Sequence, residues 1–113
     1  MPLLSIHTNQ PAPADQDRAL REISAAVAEM LGKPERYVMV SLATGRAMLF
    51  GGDDAPLAYL ELKSIGLPEE RSHEFSAALC RLMQAHLDIA PERVYVEFSG
   101  PARHLWGWNQ TTF

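Results

Sequence analysis

Pro34-Glu35-Arg36-Tyr37-Val38-Met39-Val40 decides the fold, because it returns in altered form as Pro91-Glu92-Arg93-Val94-Tyr95-Val96-Glu97-Phe98. Positions 34 and 91 are 57 apart in a chain of 113 residues, so the repeat divides the chain into halves. In each copy Pro-Glu-Arg follows a helix-like segment and leads into a run of β-branched and aromatic residues. Proline starts a turn with its fixed φ, and the run after it suits a strand.

Working outward, the segment before the first copy predicts a helix over about Asp15–Leu31. Leu20, Ile23, Val27, Met30 and Leu31 form one stripe at helical spacing. Pro11 and Pro13 mark the loop ahead of it, and Gly32 is a C-terminal stop. Before the second copy, Phe75, Ala78, Leu79, Leu82, Met83 and Leu87 mark a helix over about Glu69–Leu87. Pro68 stands at its start, with Glu69 and Glu70 at the positive end of its dipole.

Strands are expected at Pro2–His7, Tyr37–Ala43, Leu57–Ser64 and Val94–Phe98. Short extra strands are expected at Ala47–Leu49, closed by Gly51-Gly52, and at Trp106–Trp108. The order is β-α-β twice over. Each helix joins two parallel strands, as a crossover must. The fold class is therefore α/β (α+β) in one domain, residues 1–113. Two pseudo-symmetric units form a four-stranded mixed sheet with both helices on one face. The bare face should be buried by oligomerisation.

Composition narrows the function classes. The chain is 47% hydrophobic and 21% charged, with formal net charge −4. Its lysines are Lys33 and Lys63 and no basic run occurs, which argues against a nucleic-acid partner. Cys80 is the single cysteine, so neither an internal disulfide nor a cysteine-based zinc site is available. His7, His73, His86 and His104 lack close ligand spacing. The expectation is no metal and no cofactor. No stretch approaches the ~18 apolar residues of a membrane span. The N-terminus has no signal-peptide pattern, and the expected setting is the reducing cytoplasm.

Several segments carry a resemblance over essentially the whole chain: Met1-Pro2, Thr8-Asn9, Gly32-Lys33-Pro34 with Tyr37, and Met48-x-Phe50-Gly51-Gly52. Further along come Ser64-Ile65-Gly66, Pro91-x-Arg93-Val94-Tyr95 and Gly107-Trp108-Asn109-x-Thr111-Thr112-Phe113. In these the chain resembles the macrophage migration inhibitory factor and D-dopachrome tautomerase family of the tautomerase superfamily. The resemblance implies a homotrimer with active sites between neighbouring subunits. It also implies keto–enol tautomerisation of phenylpyruvate-like aryl 2-keto acids or dopachrome-like compounds.

That chemistry needs a base for a C–H proton and a group that stabilises the enolate oxygen. A base works best with a pKa near the working pH, and an α-amine at about 7.7–8.0 comes close. Burial and a nearby cation lower it further. The resemblance gives this role to Pro2, once Met1 is trimmed. By itself Met-Pro also reads as an ordinary strand proline. Lys33 matches the family lysine that holds a substrate carboxylate, although a lysine after Gly32 also suits a helix C-terminus. Ile65 matches the residue whose backbone amide binds substrate. Tyr95, Trp108 and Phe113 match the aromatic wall. Core packing is the plainer reading for these four.

Three departures from the family pattern stand out. Glu97 replaces an asparagine of the mammalian cytokine and shares a strand face with Tyr95. It faces either the pocket, where it disfavours anions, or the solvent. Trp106 replaces a smaller aliphatic residue and narrows the mouth. Leu57 and Leu60 occupy the cytokine's Cys-x-x-Cys positions, so thiol–disulfide exchange is not expected. A competing reading is a signalling or binding protein with a vestigial pocket. Against it, the cytokine's receptor-binding arginine and aspartate fall at Ala12 and Gly45. A third reading is another superfamily reaction on Pro2, whose branches carry extra arginines near the amine. No arginine is singled out for that role.

Overall fold

The computed structural model describes all of residues 1–113. Strand β1 spans Leu3–Thr8, helix α1 Gln16–Leu31 and strand β2 Met39–Ala43; strand β3 spans Ala58–Lys63, helix α2 Ser72–Leu87 and strand β4 Val94–Ser99. The sheet order is β2-β1-β3-β4. β1 pairs parallel with β2, β3 pairs parallel with β4, and the two central strands run antiparallel. This is the mixed sheet of two β-α-β units that the repeat predicts. Both Pro-Glu-Arg copies form a single tight turn, at Glu35–Tyr37 and at Pro91–Arg93, that delivers the chain from a helix into an edge strand.

Alternation sorts the sheet into two faces. Leu4 and Ile6 of β1 and Leu60 and Leu62 of β3 point one way and are fully buried. They meet Ile23 and Val27 of α1 and Leu79 and Met83 of α2 in one core. Leu57 is also buried. The other face carries Leu3, Ser5 and His7, Tyr59, Glu61 and Lys63, and Tyr95, Glu97 and Ser99, with no helix across it. Met39 and Tyr95 are each 65% exposed there.

The helix ends follow their local chemistry. The Asp15 side chain accepts from the Arg18 N–H at 3.1 Å and caps α1. Gly32 closes α1 at φ 63°, a left-handed conformation that glycine adopts without penalty. That closure sets the position of Lys33, whose N–H donates back to the Ala28 carbonyl at 3.0 Å.

Several expected boundaries shift. Tyr37 belongs to the first tight turn rather than to β2, because the Val38 N–H bonds back to Glu35 at 2.9 Å. The first turn of the second helix, Glu69–Arg71, is a 3₁₀ turn and α2 starts at Ser72. Ala47–Leu49 is not a strand, since it finds no partner within the chain. Instead Phe50 and Asp53 bond to each other around Gly51-Gly52. Near the C-terminus, strand β5 is Gly107–Trp108 without Trp106, and it pairs with β6, Thr111–Thr112. Asn109 and Gln110 both take positive φ, as a two-residue hairpin turn requires.

Candidate active site

Pro2 lies one residue before β1, fully buried, where its carbonyl accepts from the Met39 N–H at 3.0 Å. The α1 closure brings Lys33 to the same end of the sheet. The turn after β3 brings Ile65, and the C-terminal segment folds back to bring Phe113. These four line one pocket of about 200 Å³, with Met1, Pro34, Tyr37 and Arg103 completing it. A second groove of about 410 Å³ shares Met1, Pro2, Tyr37 and Phe113, and it contains Trp106 and Trp108.

The aromatic side is built from three rings. Trp108 stacks on Phe113 at a centroid distance of 5.5 Å and an interplanar angle of 12°. Tyr37 meets both edge-on, at 5.8 Å and 6.3 Å. Edge-to-face and stacked arrangements are those that ring quadrupoles favour. The Phe113 N–H donates to the Trp106 carbonyl at 3.1 Å, which fixes the returning segment against the pocket.

The electrostatics are those a basic amine needs. The Met1 α-amine sits below its ordinary value, first because it is partly desolvated, then because Lys33 and Arg103 repel its ammonium form. Pro2 is the next residue and lines the same pocket, so Lys33 and Arg103 would act on an amine there in the same direction. With Met1 in place the Pro2 nitrogen is an amide and has no basicity to use.

The structure does not bring Tyr95 and Glu97 to this pocket. Pro2 abuts the row Leu3–Lys63–Ser99, whereas Tyr95 stands in the row of His7 and Tyr59. That separation is about 13 Å along the strands and about 10 Å across them. Tyr95 packs on Phe50 instead, at a centroid distance of 4.6 Å. Glu97 lies on the bare face beside Tyr95, as strand alternation predicts, and accepts from the Tyr59 hydroxyl at 2.5 Å. That bond, first among the causes, raises the Tyr59 pKa.

Arg103 and Tyr37 line the pocket and were missed as site residues by sequence reasoning. For Tyr37 a signal existed in its spacing from Lys33. Arg103 opens a single 3₁₀ turn, Arg103–Leu105, too short for any periodicity to point inward. No arginine is singled out in the sequence for a place near the amine, and Arg103 stands there.

A β-α-β pair with a proline at the start of its first strand, facing a lysine from the end of its first helix, defines a protein of the tautomerase superfamily. The comparisons agree. The family model for macrophage migration inhibitory factor (MIF) matches residues 1–113. The mouse macrophage migration inhibitory factor is 32% identical over 114 residues, spanning 100% of this chain and 99% of its own. The homolog from Brugia malayi is 36% identical over the same span of 114 residues, with the same 100% and 99% coverage. The crystal structure of the Prochlorococcus marinus homologue superposes with a TM-score of 0.94 at 44% identity, covering 98% of each chain. This chain belongs to the macrophage migration inhibitory factor family.

Proposed function

We propose that this protein is a tautomerase that interconverts the keto and enol forms of aryl 2-keto acids such as phenylpyruvate, or of dopachrome-like compounds, with Pro2 as its base after Met1 is removed. One observation carries the reading: Pro2 is fully buried at a pocket whose charged lining is cationic and whose remaining surface is mostly apolar. A neutral Pro2 nitrogen takes the proton from C3 of the keto acid. The C–H electron pair becomes the C2=C3 bond, and the carbonyl pair moves onto oxygen, which solvent protonates. Lys33 holds the carboxylate and favours the neutral amine. Ile65 offers its backbone N–H to the substrate, and Phe113, Trp108 and Trp106 flank the aryl group.

The working unit in this reading is a homotrimer. Tyr95 and Glu97 are too far from Pro2 to serve it within one chain, so a neighbour supplies them. The bare sheet face, with exposed Met39 and Tyr95, is the surface such an assembly covers. No helix is long and apolar enough to cross a membrane. The unpaired Cys80 suits work in the reducing cytoplasm.

The test joins mass spectrometry to a phenylpyruvate tautomerase assay. Protein whose mass shows Met1 removed should be active, and Pro2→Gly should fall strongly because the ring and the secondary amine are lost. Inserting Ala before Pro2 should abolish activity. Full activity in that inserted protein refutes the mechanism.

A further inference from the structure

The chain carries 14 acidic and 10 basic residues, yet no Asp or Glu side chain lines the pocket at Pro2. Its charged side chains are Lys33 and Arg103, both cationic. Lys33 belongs to the catalytic reading. Arg103 does not, and its bonding differs from that of Arg18, Arg21, Arg71 and Arg93. Arg18, Arg21 and Arg71 are paired with carboxylates of their own helices or turns. Arg93 donates to four loop carbonyls. Arg103 makes one bond, from Nε to a backbone oxygen of Phe113, the last residue of the sequence, at 3.1 Å, and no Asp or Glu side chain pairs with it.

That one bond engages Nε, and it leaves both terminal nitrogens at the pocket wall without a partner in the chain. Phe113 is itself held by the Trp106 carbonyl, and the Trp106 N–H bonds to the Arg103 carbonyl at 3.2 Å. The segment from Arg103 to Phe113 is thus a closed loop that presents Arg103, itself exposed, at the pocket. A planar guanidinium with free terminal donors matches a carboxylate. The Met1 amine senses the Arg103 charge, which places that charge within reach of the same space.

We propose that Arg103 is a specificity-determining residue that binds the substrate carboxylate together with Lys33, so that the pocket selects aryl acids over their uncharged analogues. The proposal rests on the tautomerase reading for the reaction but not for the binding. The aryl body lies against Phe113 and Tyr37, and the carboxylate meets the two cations.

The experiment uses full-length protein of verified mass. Titration calorimetry with the inert acid 3-phenylpropionate and with 3-phenylpropanamide is run on wild type, Arg103→Gln and Arg103→Lys, beside kcat and KM for phenylpyruvate and its methyl ester. Arg103→Gln should weaken the acid at least fivefold and leave the amide within twofold. KM for phenylpyruvate should rise by a similar factor while the ester is unmoved. Arg103→Lys keeps the charge, and should recover part of the acid preference. Equal weakening of acid and amide overturns the proposal, because Arg103 then only anchors the C-terminal segment. Unchanged binding of the acid in Arg103→Gln also overturns it. A wild type that binds acids through Arg103 but turns over neither substrate refutes the catalytic reading alone.

Discussion

Arg93, the last residue of the second Pro-Glu-Arg, links the repeat to the surface that carries Tyr95. Its Nη1 donates to the Phe50 carbonyl at 3.0 Å, its Nη2 to Asp53 at 3.0 Å and Ala55 at 2.9 Å, and its Nε to Pro56 at 3.3 Å. The guanidinium also lies 5.1 Å from the centre of the Phe50 ring, which packs on Tyr95. Arg93→Ala removes all of this. Hydrogen bonds to a charged group contribute about 1.5–3 kcal/mol when sheltered and less in water. The bonds to Phe50 and Ala55 are partly sheltered; the other two are exposed. The cation–π contact adds about 0.5 kcal/mol at such a site. The freed carbonyls regain water, so the net loss is about 3 kcal/mol, at the large end for a single substitution. Urea unfolding followed by tryptophan fluorescence at fixed protomer concentration measures it. A fall in Tm of about 10–15 °C should accompany it. Lysine keeps the charge but places its donors on one nitrogen, which does not span four carbonyls; Arg93→Lys should recover less than half. If Arg93→Lys matches wild type, or Arg93→Ala loses under about 1 kcal/mol, the bonds drawn here do not hold the loop and the reasoning fails.

Three further outcomes are expected. Lys33 disfavours the ammonium form of the N-terminal amine, so Lys33→Ala should raise the pKa of the Pro2 amine and move the rising acidic limb of kcat/KM to higher pH; a limb that stays put removes Lys33 from the electrostatics of the base. Light scattering in dilute native buffer should give the mass of a trimer, and a clean monomer mass would end the shared-site reading. Glu97→Asn should lower KM for phenylpyruvate a few-fold with little effect on the ester, since two like charges about 6 Å apart repel by roughly 3 kcal/mol at an effective dielectric near 20 and by a fraction of that at an exposed rim. No change in KM would place Glu97 outside the site.

The repeat made the fold legible because each half states its own β-α-β unit, and the helical stripes and strand alternation agree with it. What failed were short pieces. Ala47–Leu49 has strand-like residues, but a strand needs a neighbour, and the chain offers none. Tyr37 looked like a strand residue because its side chain suits one, whereas the carbonyls ahead of it close a turn. At the site, Pro2, Lys33, Ile65 and Phe113 were found through family resemblance, and the structure brings them to one pocket. Their individual signals in the sequence are weak, since each residue has an ordinary structural use. Arg103 had no sequence signal, because its place depends on how an irregular segment returns to Phe113 across ten residues.

Arg103 also changes what Glu97 means. With Lys33 as the single cation, a carboxylate supplied by a neighbour would leave the pocket with no net charge and little reason to prefer an acid. In the proposed trimer, Arg103 would add a second cationic side chain, so an anionic substrate would meet a more attractive field than Lys33 alone provides. Within its own chain, Glu97 is held by the Tyr59 hydroxyl on the bare face, with Glu61 on the same face and Lys63 bonded to Glu61 at 3.4 Å. A carboxylate fixed in that way does not swing freely between solvent and pocket. In the proposed trimer, Tyr59 would therefore limit how far Glu97 approaches Lys33 and Arg103 of a neighbour. The hydroxyl bond also draws off part of the charge that would oppose the substrate. In a trimer that brings Glu97 to that pocket, Glu97→Asn and Arg103→Gln should be non-additive in KM for phenylpyruvate, and strictly additive effects would separate the two residues.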